Sequence, residues 1–490
     1  MRGVCAMPRR HTHHRGFAVS AASATSRATA EGAVADSHSA QSSASAHRRS
    51  RSRAQQNPLP MSWRIVTSAL IGAVAGAVVA FGGTEPASFA AVEILLFVLA
   101  GCALWIEPRE VSRARWLAPA LLLAFLACDI AVVHPAAYPA RAQLLAVAAC
   151  LCGFIVAACA AREAEARRSI WSVLIALGLA ESLYALVQYM TDWQQILAFK
   201  KVVYTAQASG TYINPNNFAG LIEMLLPLVF ARTLWEFEQW TANARGSRRR
   251  AASWMREDHL PRFAFFLFGT LLLMAALLFS RSRAGIAAAW AGVALVAAVW
   301  TVRRRQHSAA LGIVLFLVVL TFAGGAWIGL EPVFSRFRSA EQDLPSRVAV
   351  WKDTAKLVRA HPYWGSGPGS FEDAYTRVQT SGLTMRLNHA HDDYLEFAAE
   401  WGVPATLLLF ALVGYVLFRA LRGIGRAARS ADRFLLLGCC GGLCSMLLHA
   451  FVDFNLHIPA NALLFAVLAG VACALSAVGA NAPDQRAAAR

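Results

Sequence analysis

Charged residues are scarce in this chain, and acidic residues are scarcer than basic ones. Only 15% of the 490 residues are charged, whereas 57% are hydrophobic, and the mean hydropathy is positive. This composition excludes a soluble globular protein and predicts a polytopic membrane protein. The sequence also lacks a nucleic-acid-binding motif, so the net charge of +17 gives no reason to expect a nucleic acid as a partner.

Cysteine is absent from the longest polar segment, residues 331–400, and apart from Cys5 the ten cysteines fall inside hydrophobic runs. That placement is typical of small packing residues. It predicts neither a disulfide framework nor a metal site, because no histidine stands at metal-ligand spacing from these thiols.

Large apolar side chains are nearly absent from residues 1–60, which contain nine arginines and only two acidic residues. Such a leader cannot bury enough surface to offset its ordering entropy, so we expect it to be disordered. Met61 directly precedes an apolar run and is an alternative start, in which case the leader would not be translated. A basic tail that binds anionic lipid is the other interpretation.

Apolar runs of about 20 residues, the length that crosses a bilayer as a helix, recur along the rest of the chain. The sequence predicts an all-α membrane protein with about twelve spans, the first of which is an anchor or a cleavable signal. We expect a leader (1–60), nine spans (61–330), a large, partly helical loop (331–400), three spans (401–478) and a tail (479–490). The predicted spans are 63–82, 86–106, 115–134, 141–161, 170–190, 216–233, 262–280, 284–301, 309–330, 401–420, 432–453 and 457–478.

Arginine clusters alternate along the connectors. They fall between spans 2 and 3, 4 and 5, 6 and 7, 8 and 9, and 10 and 11. Because basic connectors stay in the cytoplasm, this parity predicts that both termini lie inside and that the 331–400 loop lies outside.

Two short outer connectors carry candidate binding residues. In FSRSRAG, Arg281 and Arg283 stand at the outer membrane boundary against the charge rule, where they either snorkel to lipid headgroups or bind a dedicated anion. In NPNNFAG, Asn214 precedes a proline turn, and Asn216 or Asn217 is expected to cap a helix that starts near Phe218. A helix N-terminus there would also attract an anion.

The 331–400 loop holds the remaining candidates. Residues 346–360 have helical periodicity, with Arg347 in the first turn, and HPYWGSGPGSF follows with His361, Gly367 and Gly369 in a close-approach turn. The glycine run is weak evidence for phosphate contact because it lacks the Lys-Ser/Thr ending of a P-loop.

The segment NHAHDDYLEFAAEWG leads into span 10 with a second group of polar residues. On one helix His391 would share the inward apolar face with Leu395, whereas Asp392, Glu396 and Glu400 would share another face at a solvated helix entrance. A histidine on an inward face needs a partner, and His389 is a further candidate. Asp453, in the last outer connector, is expected to form an ion pair with a structural role.

Together NPNNFAG, SRSRAG, Arg347 to Pro362 with SGPGSF, and HAHDDYLEFAAEWG resemble the O-antigen ligases and Wzy-type polymerases, over roughly residues 206–475. The family's histidine is commonly followed by Asn, whereas Asp392 follows His391 here. The resemblance implies a GT-C-like, metal-independent glycosyltransferase without a cofactor. It would sit in the bacterial inner membrane with its active face in the periplasm.

The resemblance also implies roles and partners. Arg283 and Arg347 would hold the diphosphate of an undecaprenyl-linked glycan donor, and His391 would engage the acceptor hydroxyl of a glycan or of lipid A core. The further candidates for substrate contact are Arg281, Asn214, Asn217, His361, Gly367, Gly369, His389 and Asp392. The other functions left open are a transporter or flippase of lipid-linked glycan, a protein O-oligosaccharyltransferase and a non-catalytic assembly subunit.

Overall fold

The structure is a computed structural model that describes residues 59–106, 138–245, 259–304, 340–380, 386–427 and 430–478, with a few single residues between 124 and 131. Ten helices in this part of the chain are long and apolar enough to cross a membrane, which confirms an all-α polytopic membrane protein. Two predicted spans, 115–134 and 309–330, lie outside the described residues, except for those single residues in the first span. The predicted leader, except Leu59 and Pro60, and the predicted tail 479–490 lie outside them as well.

The described elements form a bundle of α-helices, with a small polar layer at one end. A two-stranded antiparallel hairpin, β1 (Gln195–Ile196) and β2 (Phe199–Lys200), follows the fourth helix. The α-helices are α1 (Met61–Val79), α2 (Pro86–Ile106), α3 (Tyr138–Ala160), α4 (Ala164–Thr191), α5 (Pro215–Arg245), α6 (His259–Ser280), α7 (Arg283–Arg304), α8 (Ala340–Ala360), α9 (Phe371–Thr376), α10 (Asp393–Gly423), α11 (Ser430–His449) and α12 (Pro459–Val478).

Helix α5 is the most buried of the ten described spans and forms the centre of the bundle. It begins at Pro215, where proline is tolerated because the first helical N–H has no partner within the helix. The side chain of Asn214 accepts from the backbone N–H of Asn216 at 2.9 Å. The prediction of a cap at Asn216 or Asn217 is therefore wrong, because the proline fixes the start one turn earlier.

Small residues on α11 allow it to lie directly against α5. A Cβ on Gly438 would come within 2.9 Å of Leu228 Cα, and one on Gly441 within 2.7 Å of Pro227 Cβ. Between helices in lipid, such close approach supplies the van der Waals packing that holds the pair together. This packing of α11 on α5 places the end of α11 beside the start of α5.

Helix α10 differs most from its prediction. It begins at Asp393 rather than at residue 401, and it kinks at Gly402, where φ is 77° and ψ is 163°. The following Pro404 lacks an N–H, so carbonyls near the kink need other donors. The N–H groups of Ser366 and Gly367 supply them, donating to Ala399 O at 2.8 Å and to Glu400 O at 3.1 Å.

A second, small core joins α8 and α9 to the first turns of α10. It contains Val350, Leu357, Phe371, Ala374, Tyr375, Ala390 and Ala399. Trp351 on α8 donates from Nε1 to the carbonyl of His391 at 3.3 Å. The described part of the 331–400 loop is therefore a packed layer over one end of the bundle. We call this the site end, where α5, α7, α10 and α12 begin and α6 and α11 end.

Candidate functional site

Arg347 and His391 meet at one buried carboxylate, that of Asp453. The His391 Nδ1 atom lies 3.4 Å from Asp453 Oδ1, and Arg347 Nη2 lies 3.9 Å from Asp453 Oδ2. Arg347 also donates to the carbonyl of Val452. Asp453 was expected in the last outer connector, at the end of the span predicted at 432–453. Helix α11 already ends at His449, so the carboxylate lies in the connector before α12.

The conformation of His391 is imposed by its surroundings. The residue precedes α10 and has a left-handed backbone, with φ of 55°. The expected placement of His391 on an inward helical face is therefore wrong, because Asp392 caps the helix after it. The imidazole meets Phe454 edge-on, with ring centroids 5.0 Å apart, and His389 stacks on the same phenyl ring at 4.1 Å.

The charge of Asp453 follows from its neighbours. Burial alone raises its pKa, but the hydrogen bond from His391 and the charges of His449 and Arg347 outweigh burial and lower the pKa to about 2. An ionised carboxylate only accepts hydrogen bonds, so Nδ1 of His391 carries the hydrogen. The Nε2 atom of the neutral ring is then the one with a free lone pair.

Asn216 also belongs to this cluster. Its Nδ2 donates to Asp453 Oδ2 at 2.9 Å, which ties the start of α5 to the connector before α12. Asn214 and Asn217 were predicted to contact substrate instead. Asn214 caps α5, and Asn217 is buried with its carbonyl accepting from Asn461 at 2.9 Å.

A chain of buried polar side chains continues from Asp453 into the bundle. His449 Nε2 lies 3.9 Å from Asp453 Oδ2, and His449 Nδ1 lies 2.8 Å from Glu223 Oε2 on α5. Both residues of this pair are almost fully buried. Neither residue was predicted to belong to the site, although an acidic residue within a long apolar run is the sequence signal for such a pair.

Arg283 begins α7 beside this chain. Two residues later, a Cβ on Gly285 would lie 3.4 Å from Glu223 Oε2, so the start of α7 packs against the Glu223–His449 pair. Arg281 has a left-handed φ of 58°, and its guanidinium donates to Tyr189 Oη at 3.5 Å. Contact of either arginine with a phosphate stays a prediction.

A second polar cluster surrounds His457, close to Phe454 and His389. His457 Nδ1 lies 2.6 Å from Asp393 Oδ1, and His389 Nδ1 lies 2.7 Å from Glu396 Oε1. Burial alone lowers the pKa of His457, but the charges of Glu396, Asp393 and Glu400 raise it to about 10. The expected solvated face is wrong for Glu396 and Glu400, which are buried at 1% and 2% exposure. Glu396 accepts from the Ala390 N–H at 2.7 Å, and Glu400 accepts from the Phe371 N–H at 2.9 Å.

One region of the chain matches a known family. Residues 268–410 match the family model for O-antigen ligase. This part of the chain is therefore similar to the O-antigen ligases. No curated protein matches the chain.

The similarity to O-antigen ligases indicates an enzyme of glycan transfer, of the ligase or polymerase type. Such transfer uses a lipid-linked glycan as donor and a glycan as acceptor. The matched region contains Arg283, Arg347 and His391 but ends before Asp453 and begins after Asn216. The structure alone joins these last two residues to the family's region.

The remaining candidates lie elsewhere in the fold. His361 is exposed, and its carbonyl accepts from Gly365 at 2.9 Å. Gly367 donates to Glu400 O, and Gly369 has a φ of 67° and lies against the carbonyl of Pro139. The glycine run thus closes the layer onto α10 and α3. Phosphate contact by these residues stays a prediction.

Asp392 has a structural task in the same layer. Its Oδ1 accepts from the Leu395 N–H at 3.0 Å and caps α10. Burial, with the charges of Asp393 and Glu396, raises the pKa of Asp392 to about 6. Among the residues the structure describes, no group of three or more His, Cys, Asp or Glu side chains is arranged to hold a metal ion.

Proposed function

We propose that the protein transfers a glycan from undecaprenyl diphosphate to an acceptor hydroxyl at the periplasmic face of the bacterial inner membrane. One observation carries this proposal: Arg347 and His391, from opposite ends of the loop layer, meet at Asp453. A cation for a leaving phosphate and a base for an attacking hydroxyl are thereby brought to one point.

In this proposal His391 is the general base. Asp453 accepts from Nδ1 and fixes the tautomer, so Nε2 removes the proton of the acceptor hydroxyl. The acceptor oxygen then forms a bond to the anomeric carbon. Asp453 also stabilises the imidazolium that results, which is the role of the buried carboxylate in a Ser-His-Asp triad.

Arg347 and Arg283 act on the leaving group. As the anomeric C–O bond breaks, its electron pair passes to the diphosphate, whose growing charge two guanidinium groups neutralise. Arg forks suit phosphate oxygens, and this task needs no metal ion in the proposed reaction. A single in-line attack predicts inversion at the anomeric carbon.

The charge pattern supports a periplasmic reaction. The site end carries the described part of the 331–400 loop, whereas described arginines such as Arg162 after α3 and Arg422 on α10 lie at the opposite end of the spans. Basic connectors stay in the cytoplasm, which leaves the site end outside. A donor with an activated diphosphate suits that compartment because the bond that breaks supplies the free energy of transfer.

The test is a reaction with purified protein, a lipid-diphosphate oligosaccharide and separate acceptors: lipid A core, a glycan repeat and a peptide. Product masses would show which acceptor is used. We expect His391→Ala and Arg283→Ala to give no product although both proteins insert normally. Arg386→Ala, which changes an exposed loop arginine paired with Glu372, is the matched control and should retain transfer.

Normal product from His391→Ala would refute the enzymatic role. Movement of the lipid-linked glycan across vesicles without any acceptor would instead support a transporter. These outcomes separate the proposed function from its alternatives.

A further inference from the structure

An apolar groove separate from the Asp453 cluster runs along three helices. It has a volume of about 780 Å³ and lies between α3, α10 and α12. Neither Arg347, His391 nor Asp453 lines it. Its lining extends along α12 from Pro459 to Ala477, which is ~27 Å at the rise of a helix and close to the depth of a hydrocarbon core.

The groove opens toward hydrocarbon. Its walls α3 and α10 are among the least buried of the described spans, with 33% and 22% of their apolar windows buried inside the protein. At the site end the walls meet through Phe397 and Trp401 on α10 and Leu144 and Val147 on α3. A ligand that enters between these helices therefore comes from the bilayer and carries an apolar chain.

The polar groups at the site end of the groove face partners within the protein, and His457 Nε2, which makes no hydrogen bond, has its charge offset by the nearby carboxylates of Glu396 and Glu400. Trp401 Nε1 donates to Gln143 Oε1 at 3.3 Å, and Gln143 Nε2 donates to Glu400 at 3.0 Å. His457 Nδ1 donates to Asp393 at 2.6 Å, and its Nε2 faces Glu396 Oε1 at 3.6 Å. This end has little to offer a charged headgroup.

The opposite end of the groove is basic. Arg162, after α3, and Arg419, on α10, both line it, and no Asp or Glu is among its described lining residues. Arg419 Nη1 donates to Tyr415 Oη at 3.4 Å. Two guanidiniums at the mouth of an apolar groove, without an acidic residue in the lining, match a phosphate attached to hydrocarbon chains.

We propose that this groove binds one anionic glycerophospholipid from the leaflet on the Arg162 side, the cytoplasmic leaflet by the charge rule. Its phosphate contacts Arg162 and Arg419, and its acyl chains fill the space between α3, α10 and α12. The lipid completes the packing of α10, the helix whose first turn positions His391. This binding site does not depend on the proposed transfer reaction.

The test measures bound lipid on the full chain. The protein is exchanged into nanodiscs of mixed phosphatidylglycerol and phosphatidylcholine, extracted into mild detergent, and analysed by native mass spectrometry. We expect the wild type to retain one phosphatidylglycerol. In the double variant Arg162→Gln and Arg419→Gln, binding of phosphatidylglycerol should be weaker by at least about tenfold. Each lost charged hydrogen bond weakens binding by roughly that factor.

Arg422→Gln is the matched control. Arg422 lies one turn beyond Arg419, is exposed, stacks over Phe418 at 4.4 Å and does not line the groove, so this variant should retain the lipid. Ala466→Trp gives an independent check because its indole would fill the groove and exclude the chains while leaving both arginines in place.

Equal retention in wild type, the double variant and Ala466→Trp would overturn the site. So would a wild type that retains no lipid, or one that retains a polyprenyl diphosphate in place of the phospholipid. Loss of retention in Arg422→Gln as well would show nonspecific charge binding and would also overturn it.

Discussion

Replacement of Asp453 by asparagine tests the centre of the proposed site. The side chain is 1% exposed and accepts from Asn216 Nδ2 at 2.9 Å and from the Phe454 N–H at 3.0 Å, besides facing His391. An amide keeps this shape but loses the charge. It cannot stabilise an imidazolium, and it no longer forces the hydrogen of His391 onto Nδ1.

Two magnitudes follow from this geometry. Burial raises the pKa of Asp453, but His391, His449 and Arg347 reverse that and lower it from 3.8 to about 2, which corresponds to about 2 kcal/mol in favour of the folded protein. This stabilisation is complete above about pH 4 and is lost as the pH falls toward about 2. For a buried aspartate that orients a catalytic histidine, the expected loss of kcat is about a hundredfold to ten-thousandfold.

The assay is product formation per folded protein, measured by mass spectrometry with purified protein and the lipid-diphosphate donor. Asp353→Asn is the matched control. Burial raises the pKa of Asp353, but hydrogen bonds from Lys356 and Thr380 outweigh it and lower the pKa to about 2. Asp353 does not contact His391, so this variant should lose stability while keeping its transfer rate.

The double variant Asp453→Asn with His391→Ala should be no slower than His391→Ala alone, because the two side chains act as a unit. Full transfer by Asp453→Asn, with stability lowered as in Asp353→Asn, would refute the reasoning and leave Asp453 as a structural residue.

Three further predictions concern the layer above the site. Gly402→Ala should destabilise the protein by at least about 3 kcal/mol, since a φ of 77° is strained for any side chain and a Cβ would overlap the carbonyl of Tyr363. Gly414→Ala, in open space on the same helix, should change the free energy of unfolding by less than about 1 kcal/mol. Glu396→Gln should lose about 3–5 kcal/mol because it removes a buried carboxylate that faces both the half-buried His389 and the buried His457, and a melting temperature equal to that of wild type would contradict this. Mainly through burial, the pKa of Asp392 is raised to about 6, so protonation of this residue favours the folded protein. Lowering the pH from 7 to 5 should therefore raise the melting temperature of wild type more than that of Asp392→Asn. Parallel pH profiles of the two melting temperatures would count against the raised pKa.

The membrane architecture could be predicted because it depends on local composition. A backbone in hydrocarbon must satisfy its own hydrogen bonds, so each apolar run of about 20 residues becomes a helix. The ends of the helices were less predictable. Helix α10 extends eight residues before its predicted start because Glu396 and Glu400, which look like solvent-facing residues, are buried and accept from the N–H groups of Ala390 and Phe371.

The candidate site was predictable only in its residue types. Arg347 and His391 stood out as polar residues in an apolar chain, and the structure brings them to the same carboxylate. Asn216 and Glu223 were passed over. Asn216 was assigned a local cap, and Glu223 lies within an apolar run without a neighbouring motif.

The sequence by itself determined that the chain spans the membrane many times, which connectors are basic and which segments carry polar chemistry. Those properties depend on residues close together in the chain. Only the tertiary structure decided that Asp453 joins Arg347, His391 and Asn216, because these contacts connect positions 62 to 237 residues apart. Their meeting depends on the close packing of α11 on α5 and on the kink at Gly402, neither of which a periodic pattern specifies.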